Sequence, residues 1–263
     1  MLLAHLSDLH VQVPGDRAYG VVDTNPMVQK AIEHVAGRSP DVVVITGDLV
    51  HRVQLAEYQQ LQSMLAQLTM PVFLLPGNHD SRSLIRQVFA GHTYLPAEGF
   101  LQYAVERYPL RLLMLDTNVP GQGYGELDSE RLQWLDTQLA EQPHKPTFIF
   151  MHHPPFSTGI ALMDGFGLRG GDDLAKVVER YDCVERVCCG HIHRPIQKLW
   201  AGTLAYTVPS PVHQISLELS AKAHSTTFTL EPPAYQLHVW SAGELVSHMQ
   251  YINAYEGPYP FYR

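Results

Sequence analysis

LLPGNHDS, residues 74–81, places an asparagine, a histidine and an aspartate directly behind an apolar run and a glycine. The apolar run before Pro76 predicts a buried strand. Gly77-Asn78 alone is ordinary turn chemistry, because both residue types tolerate left-handed backbone angles. The same order, an apolar run that ends in polar side chains, recurs at four other points of the chain. A turn at one place does not account for that recurrence.

Five predicted strands end in side chains that can bind metal ions. The residues at these ends are Asp8 and His10; Asp48; Asn78, His79 and Asp80; His152 and His153; and His191 and His193. In open α/β sheets, ligands bind outside the carboxyl ends of the strands. Carboxylate and imidazole groups without cysteine suit ions such as zinc, manganese or iron. The sequence therefore predicts a metal site assembled from several strand ends.

The local spacing adds detail to this site. In Asp8-x-His10 and in His191-x-His193, the one-residue gap is expected to place both side chains on the same side of an extended segment. A glycine precedes three of the strand-end groups, at positions 47, 77 and 190, and lets the backbone approach the ions closely. Asp48 has two carboxylate oxygens and can therefore bridge two ions.

Strand-like and helix-like segments alternate through the first two-thirds of the chain. Strands are predicted at 2–6, 42–46, 72–75, 110–115, 147–151 and 186–189, and helices at 26–36, 55–68, 81–89, 129–141 and 172–180. Further strands are predicted at 203–208, 214–219, 226–230, 236–240 and 245–250. We expect one α/β domain over residues 1–263 with a β-rich last third. The aromatic C-terminal extension, 242–263, is either a strap packed on its own domain or a lid or dimer contact.

Composition limits the possible compartments and partners. A chain of 263 residues with 45% hydrophobic and 17% charged residues is typical of a globular protein. Its apolar runs are too short to span a bilayer, and the first residues lack a basic leader, so we expect neither a membrane anchor nor a signal peptide. Three cysteines without metal-type spacing indicate a reducing compartment, the cytoplasm. A net charge of −8 argues against nucleic acid as the main partner.

The ordered set D-x-H, G-D, G-N-H-D, H-H-P-P and G-H-x-H resembles the calcineurin-like metallophosphoesterase family. The resemblance runs from Asp8 to His193. TVPSPVHQ (207–214) and AYEGPYPFY (254–262) resemble the branch that contains bacterial cyclic-nucleotide and glycerophosphodiester phosphodiesterases. The family implies an α/β/β/α sandwich, in which two mixed β-sheets are flanked by helices and hold two metal ions.

Carried over by position, the resemblance assigns seven side chains to the two ions. One ion would be bound by Asp8, His10 and His193, the other by Asn78, His152 and His191, and Asp48 would bridge them. His152 is preferred to its neighbour His153 as the ligand. The expected ions are divalent iron, manganese or zinc.

Three further residues are expected around the ions. His79 would face the substrate and act as a catalytic acid or as a donor to the phosphate. Asp80 would hold the His79 ring in orientation, or alternatively cap the helix that begins near Ser81. His213 would lie near the phosphate, outside the ligand set. His51 could line the same pocket or be a plain loop residue.

The function implied is hydrolysis of a small phosphodiester, a 3′,5′-cyclic nucleotide or a glycerophosphodiester, by a metal-bound hydroxide. A nuclease, a phosphomonoesterase or a protein phosphatase of the same fold is the main alternative, although a nuclease would be expected to show a basic groove. A metal-free binding scaffold is a third possibility, but such a protein should have lost ligands. A homodimer or higher homo-oligomer is expected from the tyrosine-rich end.

Overall fold

A computed structural model of the chain describes residues 1–220 and 225–262. Its strands are β1 (Leu2–Leu6), β2 (Val42–Thr46), β3 (Val72–Leu75), β4 (Tyr103–Val105), β5 (Arg111–Met114), β6 (Gly125–Glu126), β7 (Thr147–Phe150), β8 (Leu168–Arg169), β9 (Val184–Cys189), β10 (Ile196–Trp200), β11 (Thr203–Thr207), β12 (Gln214–Ile215), β13 (Phe228–Thr229), β14 (Ala234–Ser241) and β15 (Glu244–Tyr251). Its helices are α1 (Thr24–Arg38), α2 (Leu55–Leu65), α3 (Arg82–Val88), α4 (Ser129–Glu141), α5 (Ala161–Asp164) and α6 (Gly171–Val178).

Two mixed sheets form the centre of the fold. The first sheet has the strand order β15-β14-β1-β2-β3, and the second has the order β10-β11-β9-β7-β5-β4. Strands β1, β2 and β3 are parallel, as are β5, β7, β9 and β11. The edge strands β4, β10 and β15 and the inner strand β14 pair antiparallel with their neighbours. Within each sheet, the parallel strands therefore end at a common edge.

The two sheets pack face to face between two layers of helices. Successive side chains of a strand point to opposite faces of the sheet. Val44 of β2 and Phe150 of β7 share the core between the sheets. Ile45 of β2 packs instead with apolar side chains of α1, α2 and α3, and Ile149 of β7 packs with those of α4 and α6. This arrangement is the predicted α/β/β/α sandwich.

The β-rich last third differs from the prediction in its details. The strand predicted at 214–219 shortens to β12, which pairs with β13 over two residues. The predicted C-terminal extension, 242–263, begins with β15, which pairs with β14 along its full length. Of the described residues, 252–262 follow this strand as a tail. Strands β4 and β10 were not predicted, because β4 is short and β10 is a largely exposed edge strand without apolar alternation.

Two further findings concern membrane-spanning helices and the cysteines. Within residues 1–220 and 225–262, no helix has both the length and the apolarity needed to cross a bilayer. Cys183, Cys188 and Cys189 are free thiols in buried positions. Cys188 lies in the core between the sheets and Cys189 in the core under α4 and α6, so both fill space as small apolar side chains.

Candidate metal centre

The carboxyl ends of the two sheets meet and bring the seven predicted ligands together. Asp8 and His10 follow β1, Asp48 follows β2 and Asn78 follows β3; His152 follows β7, and His191 and His193 follow β9. Asn78 is half-buried, and the other six side chains are at most 5% exposed. The cluster is therefore built from both sheets and is largely shielded from water.

One group of ligand atoms gathers around His10 and His193. Their Nε2 atoms lie 3.2 Å apart. His193 Nε2 is 3.4 Å from Asp8 Oδ1, and His10 Nε2 is 3.5 Å from Asp48 Oδ2. One atom from each of Asp8, His10, Asp48 and His193 lies within 4.8 Å of every other, so one cation can contact all four.

A second group gathers around the carboxamide of Asn78. Its Oδ1 is 3.1 Å from His152 Nε2 and 3.0 Å from His191 Nδ1. Asp48 Oδ1 lies 3.4 Å from the same His152 nitrogen. The two oxygens of Asp48 thus face different groups, which is the geometry that a bridging carboxylate requires.

The protonation pattern of the imidazoles fits a cation. His193 Nδ1–H donates to the His213 carbonyl oxygen at 2.8 Å, and His152 Nδ1–H donates to the Thr46 carbonyl oxygen at 2.7 Å. In a neutral imidazole the other nitrogen, Nε2, then carries a lone pair. These lone pairs face carboxylate oxygens, a carboxamide oxygen or another imidazole nitrogen. Acceptors that face one another are stabilised by a positive ion between them.

The electrostatics of the cluster point the same way. Burial raises the pKa of Asp8 well above its ordinary value, and the neighbouring Asp48 raises it further. Burial also lowers the pKa of His10 and of His193 well below the ordinary histidine value. A divalent cation among these groups would stabilise the ionised carboxylates and accept the lone pairs of the neutral imidazoles.

Comparison with known proteins identifies the family. The family model for calcineurin-like phosphoesterases matches residues 1–195. The chain belongs to this family. Over its whole length it is 36% identical to a probable glycerophosphodiester phosphodiesterase of Arcobacter nitrofigilis and covers 97% of that protein. It is also 29% identical to the 3′,5′-cyclic adenosine monophosphate phosphodiesterase of Escherichia coli, over 87% of this chain and 80% of that one.

Solved structures confirm the fold of this phosphoesterase. A dimetal phosphatase from Danio rerio superimposes with a TM-score of 0.69 at 14% identity, and the match covers 96% of each chain. At this identity the likeness concerns the fold alone. Family membership and the buried His and Asp cluster together support a divalent metal centre at the edge where the sheets meet. The predicted family and fold class are therefore confirmed.

The backbone around the metal centre is left-handed, which corrects one expectation. Asp8 and His10 have φ of 58° and 46°, and His191 and His193 have φ of 69° and 55°. The residues of these two pairs therefore do not lie on extended segments. Both residues of each pair are left-handed instead, and His191 and His193 face different ligand groups. Asp48 is also left-handed, with φ of 46°. Such angles are unfavourable for residues with a Cβ atom, and they persist where the surrounding structure holds them.

Gly47, between β2 and Asp48, has no room for a side chain. Its φ is +93°, and a Cβ atom at this position would lie 2.6 Å from the Gly77 nitrogen and 2.6 Å from His152 Nδ1. The absence of a side chain lets the loops after β2 and β3 touch and lets the His152 ring pass behind them. The sequence predicted a close approach of this backbone to the ions, whereas the close approach that the structure shows is to Gly77 and His152.

Gly47→Ala should lower the free energy of unfolding by more than the cost of its backbone angle, about 1–2 kcal/mol. The added methyl group would also force the β3 loop and the His152 ring away. Thermal unfolding of the purified protein measures the loss. Gly99→Ala is the matched control, because Gly99 has φ of +68° and nothing within 4 Å of a built Cβ. Equal losses of unfolding free energy in the two variants would show that the close approach at Gly47 adds nothing to the cost of the backbone angle.

His79 lies beside the cluster and is held by His51. His79 Nδ1–H donates to the His51 carbonyl oxygen at 2.9 Å, and the two rings stack 5.6 Å apart at an interplanar angle of 12°. The His79 ring meets the edge of the His10 ring at 4.8 Å. Burial lowers the pKa of His79, but Asp48 and the His51 carbonyl outweigh it, so this pKa lies above its ordinary value. His51 therefore lies against the rings of His10 and His79 at the edge of the cluster.

Asp80 has different partners from those expected. Its Oδ2 accepts from the backbone N–H groups of Gly77 at 2.8 Å and Leu49 at 3.1 Å, and its Oδ1 accepts from Tyr58 Oη at 3.0 Å. These contacts join the loops after β2 and β3. The His79 ring is oriented by a carbonyl instead, and Ser81 supplies the side-chain cap of α3. Both roles expected for Asp80 are therefore wrong.

His213 and Tyr19 complete the wall of the site. The His213 ring lies 4.5 Å from the His193 ring and 5.3 Å from the His10 ring, and the side chain is 1% exposed. Tyr19 is 50% exposed and packs edge-on against His51 and His213, at 4.9 and 5.4 Å. Sequence reasoning missed Tyr19, because it belongs to a turn without a recognisable motif.

A sixth strand end was also missed. Strand β5 is followed by Asp116, Thr117 and Asn118, which are all at most 2% exposed. Thr117 Oγ1 lies 2.9 Å from His153 Nδ1, so this ring has a hydrogen-bond partner outside the predicted ligand set. The rule that found the other five strand ends, polar residues directly after an apolar run, would have found this one too.

Proposed function

We propose that this phosphoesterase hydrolyses a small phosphodiester, a 3′,5′-cyclic nucleotide or a glycerophosphodiester, at a centre of two divalent metal ions. The single observation that carries the proposal is the division of the ligands into two groups that share Asp48. Asp8, His10 and His193 would bind one ion, and Asn78, His152 and His191 the other. Iron, manganese and zinc suit such a set of nitrogen and oxygen ligands. The names of the two relatives given above support the diester substrate.

The chain's own groups would orient the substrate and supply a proton. When bound, two divalent ions would neutralise the phosphate charge and activate water for in-line attack. The His51 carbonyl fixes His79 Nδ1–H, so the opposite nitrogen of the His79 ring is available to the substrate. There it would donate a proton to the departing alkoxide. His213 and Tyr19 would limit the space beside the phosphate.

The surroundings of the centre favour a diester. Arg52 pairs with Asp16 at 3.6 Å, Arg82 with Asp116 at 2.6 Å and Arg194 with Glu231 at 2.8 Å. These three arginines flank the ligand motifs, and each is engaged with a carboxylate. The positive charge for the substrate would therefore come from the ions alone. A diester carries one negative charge, whereas a monoester near neutral pH carries close to two.

We expect kcat/KM to be higher for a diester than for the matched monoester. The diester has less negative charge for the site to neutralise, and its leaving alcohol can take a proton from His79. The measurement compares bis(p-nitrophenyl) phosphate with p-nitrophenyl phosphate, and cyclic AMP with glycerophosphoethanolamine, at one pH and one metal loading. Metal analysis of the same sample gives ions per chain. A clear advantage for the monoester would overturn the diesterase proposal while leaving the metal centre intact.

We also propose that the tail after β15 contributes to a homodimer or higher oligomer. Ile252 is buried, but Tyr255, Tyr259, Phe261 and Tyr262 are 61%, 73%, 100% and 92% exposed. An apolar cavity of about 480 Å³ beside the tail is lined by Pro232, Met249, Tyr251 and Tyr255, among others. Clustered exposed aromatic side chains are typical of protein interfaces.

Removal of residues 254–263 should therefore lower the mass measured by light scattering. The cut keeps Ile252, so the core under the first sheet is preserved. A double Tyr259→Ser, Phe261→Ser variant separates lost side chains from lost backbone. A monomeric mass for both the full chain and the truncated chain would dispose of this proposal.

A further inference from the structure

Asn118, in the segment after β5, bonds to the loop that carries two residues of the proposed site. Its side-chain Nδ2 donates to the carbonyl oxygen of Gly77 and to that of Asp80 at 3.4 Å. Asn78 and His79 lie between these two carbonyls. Asn118 is 2% exposed, so water does not compete for these bonds. We propose that Asn118 is a positioning residue, which fixes the Asn78-His79 segment against the second sheet.

The loop is held from two directions. On the first-sheet side, Asp80 accepts from the backbone of Gly77 and of Leu49, at 2.8 and 3.1 Å. On the second-sheet side, Asn118 contacts the carbonyls of Gly77 and Asp80. The metal ligands that Asn78 must meet, His152 and His191, also belong to the second sheet. Asn118 therefore sets the distance between Asn78 and its two partners, which Asp80 alone cannot do.

Asn118 can fix the loop because it is itself anchored. Its backbone N–H donates to Asp116 Oδ1 at 2.9 Å, and its carbonyl oxygen accepts from Arg82 Nη2 at 2.7 Å and from Arg131 Nη1 at 3.4 Å. Arg82 holds the fully buried Asp116 with two bonds, at 2.6 and 2.9 Å. Asp116 also accepts from the Leu101 N–H at 2.7 Å. Two-bond Arg–carboxylate pairs fix geometry as well as charge.

A displaced loop would affect two functions together. Asn78 Oδ1 would leave His152 and His191, now 3.1 and 3.0 Å away, and the second ion would lose a ligand. His79 would move with Asn78, and its backbone N–H would leave Asp48 Oδ1, to which it donates at 2.9 Å. The first ion would keep Asp48 Oδ2, which faces His10 Nε2 at 3.5 Å. Among the described contacts, Asp8, His10 and His193 make no hydrogen bond to the loop. The effect should therefore fall on one ion, an expectation that rests on the two-metal proposal above.

The test is a titration of the metal-free full-length chain with Mn²⁺. Calorimetry measures the affinity of each equivalent, and electron paramagnetic resonance detects whether the bound ions are coupled. Asn118→Leu keeps the approximate shape and removes the donor, whereas Asn118→Ser keeps a shorter donor. For Asn118→Leu we expect the second equivalent of Mn²⁺ to bind about 10- to 100-fold more weakly, as is typical when an outer partner of a metal ligand is lost. The first equivalent should bind as in the wild type, and the coupled two-ion signal should give way to a one-ion signal. The affinity of Asn118→Ser for the second equivalent should lie between those of the wild type and of Asn118→Leu.

The controls separate positioning from general loosening. Arg86→Gln removes another α3 arginine, which bonds the Pro96 and Gly99 carbonyls instead. It should leave both equivalents unchanged. Weakening of both equivalents in Asn118→Leu, or of neither, would overturn the positioning role. A wild-type chain that binds fewer than two equivalents would overturn both this inference and the two-metal proposal, whereas two equivalents unaffected by Asn118→Leu would overturn this inference alone.

Discussion

Asp48→Ala should abolish phosphodiester hydrolysis and release both metal ions. Asp48 Oδ2 lies 3.5 Å from His10 Nε2, and Asp48 Oδ1 lies 3.4 Å from His152 Nε2, so one carboxylate serves both ligand groups. The same Oδ1 accepts from the His79 N–H at 2.9 Å. The loss in kcat/KM should exceed the about 10- to 100-fold that follows removal of an outer partner of a metal ligand. Steady-state rates and metal analysis measure the two effects.

Two other variants calibrate this result. Asn78→Ala removes a ligand from one group only, so it should release one ion and cost less activity than Asp48→Ala. Asp23→Ala removes an exposed aspartate that makes no side-chain bond at the start of α1, and it should leave activity and metal content unchanged. The fold should survive in all three variants, since the mutated residues lie in segments that precede or follow the core elements. Wild-type activity of Asp48→Ala at saturating metal would refute the two-metal assignment.

His79→Ala should lower kcat by about 10²- to 10⁴-fold, the range typical of general acid catalysis. The ring sits against His10 and His51, with its Nδ1–H fixed by the His51 carbonyl at 2.9 Å. We assign it to the substrate and not to an ion, so metal content should be spared. Rates measured with a good and a poor leaving group sharpen the test, because a proton donor matters more for the poor one.

The His79 experiment has a specific competing outcome. Ligand atoms of His10, His51 and His79 also lie within 4.8 Å of one another, so these three rings could hold an ion. Loss of one ion per chain in His79→Ala would show that His79 is a ligand. His144→Ala, which removes an exposed histidine, is the control for changes in histidine number. It should match the wild type in rate and in metal content.

Local sequence was informative wherever strand pattern and residue type coincide. Buried parallel strands have continuous apolar runs, and the first polar residues after a run must lie at the sheet edge where the other runs also end. That rule alone placed Asp8, Asp48 and His152 together, although they are far apart in the chain. The positions of the helices follow from the same alternation.

Contacts between loops were beyond this reasoning, because they depend on which backbone groups face each other. Asp80 follows His79 in sequence, yet its carboxylate bonds the backbone of Gly77 and Leu49. His213 orients His193 through its carbonyl oxygen, a group that every residue has. No residue type signals such a bond.

The sequence by itself determined the set of strand-end side chains, which follows from local apolar periodicity and residue chemistry. Its ordered motifs determined the family by resemblance, and that resemblance implied the sandwich of two sheets. Only the tertiary structure decided how those side chains divide into two ligand groups. The left-handed angles at Asp8 and His193, and the two directions in which the Asp48 oxygens point, arise when loops of both sheets press against one another. The anchoring of Asn118 likewise needs α3, α4 and β5 to meet, because Arg82, Arg131 and Asp116 come from separate elements and are brought together only by packing.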